Sequence, residues 1–474
     1  MRTRDARFDG RFFIAVRSTG IFCRPICPAR PKPENCTFYE TAAAAFEAGY
    51  RPCLRCRPEA APGTAAWVGT SATVQRALRL IEDGALDREG VGELAARLGM
   101  GDRHLRRLFL EHVGASPLSV AHSRRVLFAK RLIDESSLAM HEIASASGFA
   151  SVRRFNDAIR RTYGRPPTAL RSDGGGDASS GVNLRLAYRA PFDWEGVLAF
   201  FALRATPSVE AVRDGRYWRS FELAGAHGAL EVERDAEAEQ LIATVHLASG
   251  PAPLIQIADR LRRTFDLAAD SGEIGLHLER DARLRKAWRR SPGLRVPGAW
   301  DPFELAVRAV LGQQVSVKGA TTLSGRLVEK FGRPLESVVE RDGAPTHLFP
   351  EPEALAGADV ASIGLPVARA NAIRALAGAV AEGDVDMRPG SDNEAALQAL
   401  RALPGIGEWT AQYIAMRALR EPDAFPASDL VLRRMLVEMP GGALPSVREV
   451  EAIAEAWRPC RAYAAIALWS LASG

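Results

Sequence analysis

The chain has 474 residues, 47% of them hydrophobic and 25% charged. That is an ordinary globular balance, and it excludes collagen-like, wholly disordered and low-complexity classes. Residues 1–170 carry 27 Lys and Arg against 17 Asp and Glu, whereas the remainder carries 35 against 40. A basic N-terminal third points to a polyanionic partner, most simply nucleic acid.

The length implies about three or four domains, each with its own core. The chain has no run of about eighteen apolar residues, so no transmembrane helix is expected. The opening, MRTRDARFDGRFF, lacks the apolar core of a signal peptide, and a cytoplasmic location is expected. Only five of the basic residues are Lys; the rest are Arg. Arginine favours forked contacts to phosphate, although genomic composition gives the same bias.

Five of the six cysteines fall in the first 56 residues: Cys23, Cys27, Cys36, Cys53 and Cys56. In a cytosolic chain these are not a disulfide framework. Two of the spacings, C-x3-C at 23–27 and C-x2-C at 53–56, are those of metal ligands, and one Zn2+ held by Cys23, Cys27, Cys53 and Cys56 is expected. Spacing alone fits equally a zinc ribbon that only folds its domain. Cys36 fits no ligand spacing and reads as a packed residue or a spare thiol. Cys460 stands alone and reads as buried.

The surrounding residues add to this. FFIAVRSTGIFCRPICPAR followed by FYETAAAAFEAGYRPCLRCRP resembles the N-terminal domain of the Ada family of DNA-repair regulators. The resemblance implies a small α/β domain that takes a methyl group from a methylphosphotriester in DNA. It implies Cys23 as the acceptor and Thr19, Arg30 and Arg51 as phosphate contacts. The family's basic residue after the second ligand is Pro28 here. Methylation of one thiolate would lower the negative charge of a four-thiolate zinc site, weaken repulsion from phosphates and tighten DNA binding.

From about 71 to 171 the pattern is helical. Leu94, Leu98, Leu105, Leu108 and Phe109 recur at helical spacing. Gly99 then Asp102 reads as a stop, a turn and a new N-cap. HEIASASGFASVRRF repeats this grammar, with Ile143, Ala144, Gly148 and Phe149 before Ser151 as cap. Two such units about fifty residues apart resemble the AraC-type double helix-turn-helix, which implies recognition helices at about 102–112 and 151–162. Arg103, His104, Arg106 and Arg107, then Arg153, Arg154 and Arg160, are placed to reach bases and phosphates. RNA polymerase is the protein partner expected of such an activator. An ordinary helical bundle with a solvated basic face is the alternative.

SDGGGDASSG at 172–181 reads as a flexible tether. Strand-like and helical segments then alternate to about 290, an α+β domain, and from Trp300 onward the pattern is almost all helical. LRALPGIGEWTAQYIAMRAL, 400–419, reads as helix, hairpin, helix. Gly405 and Gly407 in its turn would let the backbone approach a phosphate, with helix amides aimed at it. Asp429 follows 22 residues after Gly407. With DPFELAVRAVLGQQVSVKGA, AFPASDLVLRRM and WRPCRAYAAIALW, these segments resemble the AlkA branch of the helix-hairpin-helix DNA glycosylases, over roughly 183–472.

That resemblance implies a DNA-3-methyladenine glycosylase that flips a nucleotide and releases its base. Asp429 would stabilise the oxocarbenium-like sugar and handle the incoming water. By residue type alone it is as well read as a helix N-cap before LVLRRM, and both roles are compatible. Trp409, Tyr413, Trp469 and Phe200 are carried into the wall of the base pocket, where aromatic faces suit a cationic base. Gln314 stands where some relatives place a wedging leucine, and Leu430 where some have an aromatic. No Lys follows Lys330, which argues against a Schiff-base lyase, and no terminal cysteine quartet suggests an iron–sulfur cluster. The P-C-H-R alkyl-acceptor motif of Ada is absent. The expected domains are 1–68 zinc-binding methyl acceptor, 69–171 helix-turn-helix, 172–182 linker, 183–298 α+β and 299–474 helix-hairpin-helix.

Two other functions fit parts of this pattern. One is a regulator whose glycosylase-like half binds damaged DNA without cleaving it. The other is a small-molecule-responsive AraC-type activator with a structural zinc.

Overall fold

A computed structural model describes residues 8–9, 11–61, 72–82, 84–136, 138–171, 181–249, 253–336, 343–388, 392–437 and 443–472. The chain divides into two compact units. One comprises Met1–Arg189, Glu222–His227 and Asp235–Arg260, and the other Ala190–Phe221, Gly228–Arg234 and Leu261–Gly474. Most of the expected tether, 172–180, lies outside the described residues, and Val182 already belongs to a strand.

The first unit opens with a four-stranded sheet: β1 (Phe13–Val16), β2 (Ile21–Cys23), β3 (Cys36–Tyr39) and β4 (Arg51–Pro52), in the order β3-β1-β2-β4. β1 is antiparallel to both β2 and β3, and β2 runs parallel to β4. Phe13, Ala15 and Phe22 pack with Ala45 of α1 (Ala42–Glu47) as the small core beneath it. Thr41 caps α1 by accepting from the Ala44 amide at 3.0 Å, and its hydroxyl donates to the Val113 carbonyl at 3.1 Å.

Seven helices follow: α2 (Ala72–Glu82), α3 (Ala85–Arg88), α4 (Val91–Arg97), α5 (Asp102–His112), α6 (Pro117–Glu135), α7 (Met140–Ala146) and α8 (Val152–Tyr163). Leu94, Leu98, Leu105 and Phe109 are buried together, as their spacing requires. Ser151 caps α8 as expected, accepting from the Arg154 amide. α5 differs from expectation. Its N-cap is Gly101, and Asp102 is the first helical residue, pairing with Arg106 at 2.7 Å. An aspartate in the first turn satisfies the helix dipole and an i,i+4 arginine together, so it need not be the cap.

A five-stranded sheet comes next, from β5 (Val182–Ala187), β6 (Glu210–Arg213), β7 (Arg216–Leu223), β8 (Ala226–Asp235) and β9 (Gln240–Ser249), in the order β5-β9-β8-β7-β6. Leu184 and Leu186 of β5 lie opposite Ala243 and Leu241 of β9, all four buried. This is the period-two pattern of a sheet with one covered face. α9 (Trp194–Arg204) separates β5 from β6, and Asp193 caps it through the Gly196 amide.

Among the described residues the remainder is mostly helical: α10 (Leu254–Thr264), α11 (Ser271–Leu278), α12 (Ala282–Arg290), α13 (Pro302–Leu311), α14 (Val317–Phe331), α15 (Pro352–Ala356), α16 (Val367–Glu382), α17 (Asn393–Ala402), α18 (Glu408–Arg417), α19 (Leu430–Met435), α20 (Val447–Ala454) and α21 (Arg461–Ala472), with a two-residue ladder at Arg333–Pro334 and His347–Leu348. Buried Arg219 of β7 donates to Glu304 of α13 and to Glu210 of β6, each at 2.8 Å. A guanidinium shared by two carboxylates fixes α13 against the sheet, because removing either partner would strand a buried charge. None of the described helices is long and apolar enough to cross a membrane.

Candidate functional site

Sheet pairing assembles the cysteine cluster. Cys23 ends β2 and Cys53 follows β4, and the parallel pairing of these strands sets the two side by side. The Cys53 amide donates to the Phe22 carbonyl at 2.9 Å. Each pair then closes in a tight turn, with Cys27 N–H on the Arg24 carbonyl and Arg57 N–H on the Cys53 carbonyl, both at 3.1 Å. The sulfurs of Cys23, Cys27, Cys53 and Cys56 lie within 4.8 Å of one another. Tetrahedral zinc–thiolate bonds of about 2.3 Å would place the sulfurs roughly 3.8 Å apart, so a slight contraction suffices.

The electrostatics of the four sulfurs fit the same ion. Hydrogen bonding with Cys53 and Cys56 pushes the Cys23 thiol up, while the hydrogen bond from Cys23 pulls the Cys53 thiol down. Sulfurs forced to share protons in this way suit a dication that neutralises them all. Cys27 and Cys23 are buried, and Cys53 is the most exposed of the four. Cys36 stays outside the cluster, its thiol near the Lys32 carbonyl. Cys460 is buried, and burial raises its pKa to about 11.

Asp9 and Arg24 escaped the sequence reading. Arg24 pairs with buried Asp9, donates Nη1 to the Cys56 carbonyl at 3.2 Å, and its backbone N–H approaches the Cys56 sulfur at 3.3 Å. An arginine directly after a ligand cysteine was the available signal. Thr19 and Arg51 are neighbours at one end of β2 and β4, where the Arg51 amide donates to the Gly20 carbonyl at 2.8 Å. Both are exposed, as is Arg30.

On α5, Arg103, His104, Arg106 and Arg107 are exposed, and on α8 so are Arg153, Arg154 and Arg160. Arg106 is held by Asp102, and Arg107 contacts His104 at 3.1 Å. The α8 arginines form no ion pair among the described residues.

In the second unit, three groups converge on Asp429. The Trp409 indole N–H donates to Oδ2 at 2.9 Å, and the Trp469 indole N–H to Oδ1 at 3.1 Å. The Leu432 amide donates to Oδ1 at 3.0 Å, so Asp429 is also the N-cap of α19. Trp409 and Tyr413 stack with centroids 5.2 Å apart and planes 10° apart, and Tyr413 meets Trp469 at 6.2 Å. All three rings are half-buried.

Phe200 reaches this group through arginines. The Arg204 guanidinium lies 3.9 Å from its ring centroid and that of Arg417 lies 4.8 Å from it. Arg417 also donates to the Tyr413 hydroxyl at 2.7 Å. Burial alone would push the Tyr413 hydroxyl up, but Arg417, Arg204 and Arg308 outweigh it and lower its pKa. These arginines were missed in the sequence, although Phe200–Arg204 and Tyr413–Arg417 have i,i+4 spacing.

Gly405 turns the hairpin at φ +80°, and a Cβ there would come within 2.8 Å of Ala372. Gly407 is the N-cap of α18 at φ −86°, and a Cβ there would meet nothing. Neither space nor conformation within the protein therefore requires glycine at 407. Gln314 is exposed at φ +57° between α13 and α14. Beside it Gln313 donates to the Gly405 carbonyl at 2.8 Å and to Thr410 at 3.0 Å, tying this loop to the hairpin.

Four family models match the chain in series: the metal binding domain of Ada at 1–59, a helix-turn-helix domain at 94–173, the AlkA N-terminal domain at 183–301 and the HhH-GPD superfamily of base excision DNA repair proteins at 307–459. The probable bifunctional transcriptional activator/DNA repair enzyme AlkA of Mycobacterium tuberculosis is 44% identical over 99% of this chain and 95% of its own length. The chain belongs to this AlkA-type family of bifunctional activator/repair proteins. The DNA-3-methyladenine glycosylase 2 of Escherichia coli is 35% identical over 60% of this chain and 95% of its own. The solved 3-methyladenine DNA-glycosylase of Archaeoglobus fulgidus is 25% identical, covers 60% of this chain and 96% of its own, and superposes with a TM-score of 0.52. The expected order of zinc-binding, helix-turn-helix, α+β and helix-hairpin-helix architectures is thus the observed one.

Proposed function

We propose that this AlkA-type chain is a methyl-activated transcriptional regulator and a monofunctional DNA glycosylase in one polypeptide, with the domains divided at 68, 171, 182 and 298. It acts on alkylated double-stranded DNA and on promoter DNA, works in the cytoplasm, and engages RNA polymerase as an activator does. The observation that supports the enzymatic reading most is the convergence of two indole N–H groups and a helix amide on Asp429.

Those three donors hold the carboxylate in one orientation. A fixed anion beside the flipped sugar stabilises the positive charge that grows at C1′ as the base leaves. Asp429 then accepts a proton from the water that bonds to C1′. Trp409, Tyr413, Trp469 and Phe200 wall the base, and Gln314 enters the gap left in the stack. Gly405 and Gly407 bring backbone amides to the phosphates. With no lysine at the Trp409 position, the reaction ends at an abasic site.

Cys23, Cys27, Cys53 and Cys56 would hold one zinc ion, whose charge keeps the sulfurs deprotonated at neutral pH. Cys23 attacks the methyl carbon of a methylphosphotriester. A carbon–sulfur bond forms, the carbon–oxygen bond breaks, and its electron pair leaves with the phosphate oxygen. Thr19, Arg30 and Arg51 hold the DNA backbone during the transfer. The thioether is permanent, and the cluster's lower negative charge tightens the hold of Arg103, Arg106, Arg153 and Arg154 on DNA.

Two assays test this. Base release from methylated DNA should be strong for the natural protein and nearly abolished for Asp429→Asn; equal release by both removes the catalytic assignment. Peptide mass mapping after exposure to methylphosphotriester DNA should place one methyl group on Cys23. A methyl on the more exposed Cys53 would reassign the acceptor.

A further inference from the structure

Three arginines crowd the aromatic wall, and their partners differ. Arg417 is fully engaged: Nε on the Pro297 carbonyl at 2.7 Å, Nη2 on the Gly298 carbonyl at 3.0 Å and Nη1 on Tyr413. Arg308 donates to Ser324 at 2.9 Å and Thr321 at 2.8 Å. Both are framework. Arg204, the last residue of α9, is half-buried beside Phe200; it hydrogen-bonds the Tyr413 hydroxyl, and its Nη1 makes a long 3.4 Å contact with the Phe200 carbonyl.

A guanidinium has five N–H donors, so several of those on Arg204 are uncommitted among the described residues. Its backbone is nonetheless fixed, since Thr321 of α14 donates to the adjacent Leu203 carbonyl at 3.1 Å. A half-buried cation with spare donors at the edge of an aromatic wall is suited to an acceptor atom and opposed to a second cation. Asp429 is the carboxylate that acts on Arg204, whereas Arg308 also faces Glu210 and Glu304.

We propose that Arg204 reads the charge of the damaged base: its N–H groups donate to a ring nitrogen or carbonyl oxygen of a neutral lesion and steady the negative charge that develops as this base departs. This rests on the glycosylase reading above and names the substrate class that reading leaves open. The C1′–N bond breaks with its electron pair passing to the base. Water supplies the oxygen that bonds to C1′, and its proton passes through Asp429 to the released base. Arg204 keeps all its protons. A cationic lesion leaves as a neutral base, gains nothing from such a donor and is repelled by it.

The test is single-turnover release of hypoxanthine, a neutral base, and of 7-methylguanine, a cationic one, from matched duplexes. The natural protein, Arg204→Met and Arg204→Lys are compared. The expected result is a fall in hypoxanthine release of about tenfold or more in Arg204→Met, with 7-methylguanine release held within about threefold or raised. Arg204→Lys should recover part of the hypoxanthine activity. Equal losses on both bases in both variants would make Arg204 a packing residue and overturn the proposal, as would no change on either base. If the natural protein released neither base, the glycosylase reading itself would fall, and this inference with it.

Discussion

The two candidate centres are built in opposite ways. The cysteine cluster is local: four ligands from 34 consecutive positions, drawn together by one parallel strand pair and two turns. The Asp429 centre is dispersed, since Phe200, Trp409, Tyr413, Asp429 and Trp469 come from three helices and a loop spread over 270 positions. The local centre sits beside a small core of four buried residues among those described, whereas the dispersed one is set in a far larger core. Damage to the first should therefore unfold its surroundings, and damage to the second should remove chemistry alone.

The largest expected effect breaks the local centre. Cys27→Ala removes a fully buried ligand, and structural zinc in small domains contributes about 10–16 kcal/mol of apparent binding energy to folding. Limited proteolysis should show the first sixty or so residues cut rapidly, with zinc content near zero and base release by the second unit intact. Loss of base release as well would erase the contrast.

Next is Asp429→Asn. Removing a catalytic carboxylate should slow base release by about 10²–10⁴-fold. Asparagine still caps a helix, though its amide cannot accept from both indoles, so thermal unfolding should fall only modestly. A large drop in melting temperature would show that the carboxylate serves the fold more than the reaction.

A smaller effect is expected from Trp409→Phe, which keeps a stacked ring and deletes one N–H donor to Asp429. A hydrogen bond to a charged group is worth about 1.5–3 kcal/mol, or roughly 10–100-fold in rate. An unchanged rate would mean that the Trp469 and Leu432 donors suffice to hold the carboxylate.

The smallest effect sharpens the comparison on the DNA side. Arg153→Ala and Arg154→Ala should each reduce the salt dependence of promoter binding by about one phosphate contact, without touching methyl transfer or base release. An unaltered salt slope would place α8 away from the DNA.

The same contrast explains what could be read in advance. Ligand spacing is written directly in the chain, so the cluster was visible from Cys23, Cys27, Cys53 and Cys56. The helix-turn-helix grammar was equally legible, and only the cap at Gly101 was misplaced, because an aspartate serves a cap and a first turn alike. In the dispersed centre, the hairpin and Asp429 were visible because they lie close in sequence. The two indole donors converge only through tertiary packing of α18 and α21, and no local pattern carries that information. Arg204, Arg308 and Arg417 were hidden for the same reason, since Arg417 meets Pro297 120 positions away and Phe200 farther still. Asp429 caps α19 and still accepts from both indoles, so capping does not occupy the whole carboxylate.

The central claim is that one chain carries two chemically independent responses to methylated DNA. The most direct measurement exposes the natural protein, Cys23→Ser and Asp429→Asn to the same methylated duplex and quantifies, in each tube, methyl bound to protein and base released. The account predicts that Cys23→Ser loses only the methyl and Asp429→Asn only the base. Either variant losing both signals, or the natural protein giving neither, would contradict it.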